Sequence, residues 1–242
     1  MTYPGGKGGS GVAQQIINQI PPHRVYIEAF LGSGTILRTK LPASSSIGID
    51  SDAAVISQWG SPIDENSVTA PWIIPPGTIV RNCDAISFLS GYDWQGDEFV
   101  YCDPPYLFDV RSTKRQMYNA EFGDVVEHEQ LLDVLTELPC MVMISGYFSK
   151  LYEKRLQDWR TINFKTIDRA GNIKTEWLWM NYSQPQALHD YRFLGQNFRE
   201  RERITRIRKR WVARIQRMDP LERLMLSAAI AESSDDGQYR QK

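Results

Sequence analysis

A chain that runs from a buried strand through a glycine-rich turn and a helix into a second strand ending on a carboxylate has few ways to fold. Val25-Tyr26-Ile27-Glu28-Ala29-Phe30 is such a strand, followed by Leu31-Gly32-Ser33-Gly34-Thr35 and the helical stretch Ile36 to Lys40. A second apolar strand, Ser46-Ile47-Gly48-Ile49, closes on Asp50, sixteen residues past Gly34. Glycines let backbone approach a ligand closely at the carboxyl end of a first strand, and a carboxylate ending the second suits a ribose diol. A tight turn with no ligand uses the same glycines, so the spacing to Asp50 carries the nucleotide reading. Two rivals fall behind. A nicotinamide fingerprint wants glycine where Leu37 stands, and Gly5-Gly6-Lys7-Gly8-Gly9-Ser10 has neither a preceding strand nor Ser or Thr after its lysine.

The alternation continues along the chain. Strands are expected near 25–30, 46–50, 78–82, 97–102, 140–145, 160–167 and 174–182, with helices near 51–59, 85–90, 126–137 and 147–157. Val12, Ile16, Ile17 and Ile20 share one face of a further helix. This pattern predicts an α/β fold, a mainly parallel sheet covered on both faces with ligands at the carboxyl ends of its strands. Asp168-Arg169-Ala170-Gly171-Asn172 reads as a hairpin turn that makes the final strand antiparallel.

Asp103-Pro104-Pro105-Tyr106 follows the apolar run Glu98 to Cys102 and places an acceptor, a rigid backbone and an aromatic ring at a strand end. An amino nitrogen on a heteroaromatic ring is a poor nucleophile because its lone pair is delocalised. Two acceptors on its hydrogens localise that pair: the Asp103 carboxylate and the Pro104 carbonyl, with Pro105 adding rigidity and no competing donor. Tyr106 can stack on the base. An ordinary turn uses the same residues, but the chemistry described asks for a base taken out of its helix.

Tyr3-Pro4-Gly5-Gly6-Lys7, Glu28 to Thr35, Gly48-Ile49-Asp50 and Asp103-Pro104-Pro105-Tyr106 stand in the order found in the Dam-like DNA adenine-N6 methyltransferases of bacteria and phages, which this chain resembles from residue 3 to about 182. Met143 to Tyr147 and Glu176 to Tyr182 also resemble later segments of that family. The resemblance implies a Rossmann-like methyltransferase sheet, S-adenosylmethionine as methyl donor and a flipped adenine in duplex DNA as acceptor. It further implies cofactor contacts at Tyr3, Lys7, Asp50 and Asp103, a glycine-rich turn at Phe30, Gly32 and Gly34, and a contact to the cofactor's adenine at Asp84. Lys7 can meet either the methionine carboxylate or Asp103. Asp84 is equally suited to cap the helix from Ala85. Cytosine N4 in DNA, adenine N6 in RNA, and a non-catalytic DNA-binding protein on a retained scaffold are the alternatives.

Only about fifty residues separate Asp50 from Asp103, too few for the recognition insert usual in that family. The expected substitute is the loop Leu107 to Gly123, where Arg111, Lys114 and Arg115 can grip phosphates or read a base edge. A second basic surface lies between Arg192 and Arg217, where ten Lys/Arg stand against two Glu, a net of +8; with an overall charge of −1, the remainder carries −9. Such segregation is an electrostatic footprint for nucleic acid. Arg206, Lys209 and Arg210 are expected outward, while Ile204, Ile207, Trp211, Ile215 and Met218 form an apolar stripe that also suits a homodimer.

With 242 residues, 42% hydrophobic and 24% charged, the chain supports one large domain at 1–185 and a basic helical extension at 186–242. No secretory stretch opens it and no apolar run approaches the roughly 20 residues of a membrane span, so the cytoplasm is the expected compartment. Cys83, Cys102 and Cys140 are odd in number and scattered, and His23, His128 and His189 lack ligand spacing; no disulfide or metal is expected.

Overall fold

The computed structural model describes residues 7–9, 11–60, 72–107, 122–167 and 171–235. They form two compact units, Met1–Phe193 and Leu194–Lys242. The first opens with α1 (Val12–Ile17), then β1 (Val25–Glu28), α2 (Thr35–Thr39), β2 (Ser45–Asp50), α3 (Ala53–Ile56), β3 (Trp59–Gly60) and β4 (Trp72–Ile73). It continues through β5 (Thr78–Asn82), α4 (Ala85–Gly91), β6 (Glu98–Cys102), α5 (Val125–Glu137), β7 (Met141–Gly146), α6 (Lys150–Arg155), β8 (Arg160–Ile167) and β9 (Ile173–Met180). Seven strands make one sheet in the order β5-β2-β1-β6-β7-β9-β8. The first five are mutually parallel, and β9 is inserted antiparallel between β7 and β8. The expected Rossmann-like sheet, mostly parallel with an antiparallel last strand, is the fold that forms. Strand order reverses between β1 and β6, which opens a crevice at their carboxyl ends.

Side-chain alternation explains why β6 reads as an unbroken apolar run. Val100 and Cys102 join the cluster of Leu131, Leu132 and Leu135 from α5. Phe99 and Tyr101 point the other way, into the cluster of Ile16 and Ile17 from α1. A strand covered on both faces has no polar side to show.

The helix expected over 51–59 is shorter, ending at Ile56, and Trp59-Gly60 instead pairs in parallel with Trp72-Ile73. Packing is the reason: the Trp59 indole lies against the glycine-rich turn and donates from Nε1 to the Gly32 carbonyl at 3.1 Å. The turn expected at Asp168 to Asn172 falls partly outside the described residues, but Ile167 pairs with Ile173 in the antiparallel register that a hairpin requires.

Beneath the turn sits a buried carboxyl, Glu28. Its Oε2 accepts from Tyr26 Oη at 2.8 Å and from the Leu37 amide at 3.0 Å. Burial pushes it up to about 8, with those hydrogen bonds only partly offsetting the desolvation. Nearby Lys40, its Nζ 4.0 Å from the Tyr26 ring centroid, is brought down to about 8, again chiefly by burial. Between an unfolded value of 4.5 and the folded value of about 8, the folded chain keeps the Glu28 proton that the unfolded chain releases. Stability from this group therefore falls as pH rises through that window, by on the order of 5 kcal/mol. Glu28→Gln should flatten the fall; urea denaturation at pH 5 and pH 8 showing the same decline in both proteins would refute this.

The first unit runs eight residues beyond the expected boundary at 185. Asp190 is fully buried, accepts the Leu41 amide at 3.0 Å and pairs with Arg192, while Asn18 Nδ2 donates to the Phe193 carbonyl at 2.7 Å. These bonds tie the segment to the sheet domain. The second unit contains α7 (Phe198–Gln216) and α8 (Pro220–Asp235). Asn197 starts α7 by accepting the Glu200 amide at 3.0 Å, as an N-cap should. Ile204, Ile207, Ile215 and Met218 are half-buried, whereas Trp211, Leu221, Leu224 and Met225 are exposed. No helix among the described residues is long and apolar enough to cross a membrane.

Candidate active site

The carboxyl ends of β6 and β7 and the amino-terminal half of β9 meet at one cluster of polar side chains. Lys7, just ahead of α1, is its hub. Its ammonium lies 2.9 Å from Asp103 Oδ1 and 2.6 Å from Glu176 Oε1, and donates to Tyr106 Oη at 2.7 Å. Three donors thus meet three acceptors, which a buried ammonium needs. Tyr106 Oη in turn donates toward Glu176 Oε2 at 3.5 Å.

Asp103 is held from a second side. Ser145 Oγ on β7 donates to Oδ1 at 3.0 Å, which leaves Tyr101 Oη to donate to Ser145 Oγ at 2.8 Å. Among the described residues, none donates to Asp103 Oδ2 or to the Pro104 carbonyl. These are the two acceptors that the Asp-Pro-Pro-Tyr reading calls for.

The next carbonyl is used differently. His128 on α5 sits 3.1 Å from the Pro105 oxygen through Nε2 and 2.7 Å from Tyr152 Oη through Nδ1. A carbonyl can only accept, so Nε2 carries the hydrogen and Tyr152 donates to Nδ1. This relay fixes the backbone of the turn. Across it, the Tyr106 ring stacks on Tyr147, with centroids 4.2 Å apart and planes at 29°.

Electrostatics in the cluster have opposing causes. Burial works to lower Lys7, but Asp103 and Glu176 overcome it and hold the lysine well above its ordinary value, as an ammonium. Burial holds both carboxyls above their ordinary range, and Lys7 only partly pulls each of them back. With both ionised, the trio carries a net charge of −1 in a site where Lys7 is 6% exposed and Asp103 19%.

The glycine-rich turn lies at the adjacent strand ends. Asp50 Oδ2 accepts the Gly32 amide at 2.8 Å and Oδ1 accepts the Asp52 amide at 3.0 Å. Burial raises this carboxyl and the two backbone bonds lower it. Asp50 thus clamps the turn, and each oxygen keeps a second lone pair for a ligand hydroxyl. Gly34 departs from the expectation that its missing side chain makes room for a ligand. A Cβ there would meet the Trp59 ring at 2.4 Å, so the space belongs to the indole. Phe30 is half-buried, edge-on to Phe122 at 5.2 Å. Asp84 accepts the Ser87 amide at 2.7 Å as the N-cap of α4, the capping role its sequence allowed.

Lys7, Asp103 and Tyr106 are therefore brought together, as are Gly32 and Asp50. Arg206, Lys209 and Arg210 are exposed on α7 in the second unit. Tyr3, Arg111, Lys114 and Arg115 lie outside the described residues. Sequence reasoning missed Glu176, Ser145 and Tyr101, and also His128 with Tyr152. Two signals were present: Glu176 is an acid at the head of Trp177-Leu178-Trp179-Met180, and His128 shares a helix face with Leu131, Leu132 and Leu135.

No protein-family model and no curated protein matches this sequence. Among solved structures it is similar to a precorrin-8W decarboxylase from Methanobacterium thermoautotrophicum, at 11% identity and TM-score 0.45 over 74% of this chain and 92% of that one. It is also similar to the 23S rRNA methyltransferase ErmE, at 12% identity and TM-score 0.44 over 85% and 76% of the two chains. A dimethyladenosine transferase from Plasmodium falciparum matches at 11% identity and TM-score 0.39, over 69% of this chain and 59% of its own.

Proposed function

We propose that this protein is an S-adenosylmethionine-dependent methyltransferase of the Dam-like kind, acting on N6 of an adenine flipped from duplex DNA. The observation that carries the reading is the state of Asp103: Oδ1 accepts from Lys7 and Ser145, while among the described residues none donates to Oδ2 or to the neighbouring Pro104 carbonyl. Two acceptors on one rigid turn suit the two hydrogens of one exocyclic amino group. The donor set beside it suits the cofactor, since Asp50 keeps lone pairs for a ribose and the Gly32 backbone, at φ +46°, bends the chain into a shallow cradle.

When bound, S-adenosylmethionine supplies an electrophilic methyl group on sulfur. Asp103 Oδ2 and the Pro104 carbonyl hold the amino hydrogens, which directs the N6 lone pair out of the ring plane. Tyr106, braced by Tyr147, holds the base plane by stacking. As N6 gains the methyl group, the anionic cluster stabilises the positive charge, and Asp103 Oδ2 takes the proton that N6 sheds.

Incubation of the full chain with tritiated S-adenosylmethionine and either duplex DNA or RNA, followed by digestion to nucleosides, tests this directly. Label is expected in N6-methyldeoxyadenosine. Label found only in N6-methyladenosine from RNA, or in N4-methyldeoxycytidine, overturns the DNA adenine assignment, and absence of cofactor binding by calorimetry overturns the enzyme.

DNA contact is assigned to the segment bearing Arg111, Lys114 and Arg115 and to the exposed cations of α7. Replacing Arg206, Lys209 and Arg210 together by Ala should weaken duplex binding and reduce the slope of log K against log salt by about 2–3. An unchanged slope would assign α7 to a contact between two copies of the chain instead.

A further inference from the structure

We propose that Glu176 is a positioning residue that keeps Lys7 on the Oδ1 side of Asp103, so that Oδ2 faces the substrate both uncovered and charged. The inference rests on the methyl-transfer reading above. It begins with the geometry of one ammonium between two carboxylates, 2.6 Å from Glu176 and 2.9 Å from Asp103. Glu176 is 3% exposed on β9, ahead of Trp177-Leu178-Trp179-Met180 and opposite Phe164 of β8, and an acid so buried is tolerated only if paired.

An isolated Lys7–Asp103 pair would be neutral, and an ammonium with a spare hydrogen would bridge to the open Oδ2. Asp103 would then be a poorer acceptor at the atom that must hold the amino group. Glu176 prevents both effects. It engages a second Lys7 hydrogen while Tyr106 Oη takes the third, leaving none for Oδ2. It also restores a net negative charge to the cluster, which the cationic character growing on N6 requires. The alternative, that Glu176 merely satisfies Lys7 for stability, predicts that its loss is felt in unfolding and not in turnover.

Glu176→Gln keeps the shape and removes the charge; Glu176→Asp keeps the charge on a stem shorter by one methylene. With duplex DNA and S-adenosylmethionine, kcat of Glu176→Gln should fall about 100-fold with KM for DNA within about threefold, and Glu176→Asp should regain at least about tenfold. The Lys7 Nζ resonance in 15N-lysine-labelled protein should shift in Glu176→Gln and return toward its original position in Glu176→Asp. Wild-type kcat in Glu176→Gln, or equal losses in both variants, overturns the proposal. If Glu176→Gln does not fold, Glu176→Met, of similar length and without charge, takes its place: a shifted Lys7 resonance with reduced kcat supports the role, and an unmoved resonance with full kcat overturns it. Should the wild-type protein transfer no methyl group to nucleic acid, the proposed function falls by itself, and the Lys7 resonance still decides whether Glu176 positions the lysine.

Discussion

Asp103→Asn is expected to lower kcat by about 10³-fold while leaving the fold intact and cofactor affinity reduced at most in part. Asparagine keeps an acceptor at the Oδ1 position, where Lys7 and Ser145 donate at 2.9 and 3.0 Å. It places an NH2 where Oδ2 faces the incoming amino group, so two donors meet and neither is satisfied. Asp103→Ala should lose turnover to at least the same extent. It also costs stability, because Lys7 forfeits one of its two carboxylates, although Glu176 at 2.6 Å spares it from standing unpaired. Comparing the two variants by single-turnover kinetics and urea denaturation separates chemistry from folding. Activity within tenfold of wild type in Asp103→Asn would remove this carboxylate from the mechanism.

Gly34→Ala should be strongly destabilising. Gly34 has φ +54°, a conformation that costs a residue with a Cβ about 1–2 kcal/mol. The added carbon would also stand 2.4 and 2.6 Å from two atoms of the Trp59 ring. Trp59 is buried and tied to Gly32, so moving it disturbs the turn itself, an overpacking penalty of about 1–3 kcal/mol. Together these remove about 3 kcal/mol, a large fraction of the stability of a typical domain. The clash and the backbone strain separate cleanly. Gly34→Ala in a Trp59→Ala background should cost the strain and a milder 3.1 Å contact with Leu31, a non-additivity that a double-mutant cycle in urea reads out. A loss below about 1 kcal/mol for the single variant would mean that the indole has somewhere else to go.

The β-strands were legible because a parallel sheet buried on both faces writes itself as short apolar runs, and β6 is the plainest case. Strand ends were legible too, since Asp50 and Asp103 each interrupt such a run. Shorter elements were not. The pairing of Trp59-Gly60 with Trp72-Ile73 depends on an indole docking against Gly34, a partner twenty-five residues earlier that no local periodicity records. The domain boundary moved for the same reason: Asp190 looks like a linker residue until its carboxylate meets the Leu41 amide.

Residue order alone thus determined the kind of sheet, the two strand ends that close on Asp50 and Asp103 and the residue types available there, because these follow from periodicity and from what Pro, Gly and Asp do to a backbone. What required the tertiary structure was partnership. Lys7, Tyr106 and Glu176 are 99 and 169 positions apart from the lysine outward, and His128 reaches the Pro105 carbonyl from another helix. Charge neutralisation and hydrogen bonding act over about 3 Å in space and are blind to separation along the chain. That Lys7 and Ser145 both reach Oδ1 of Asp103 is therefore decided only once the strands β6, β7 and β9 lie side by side.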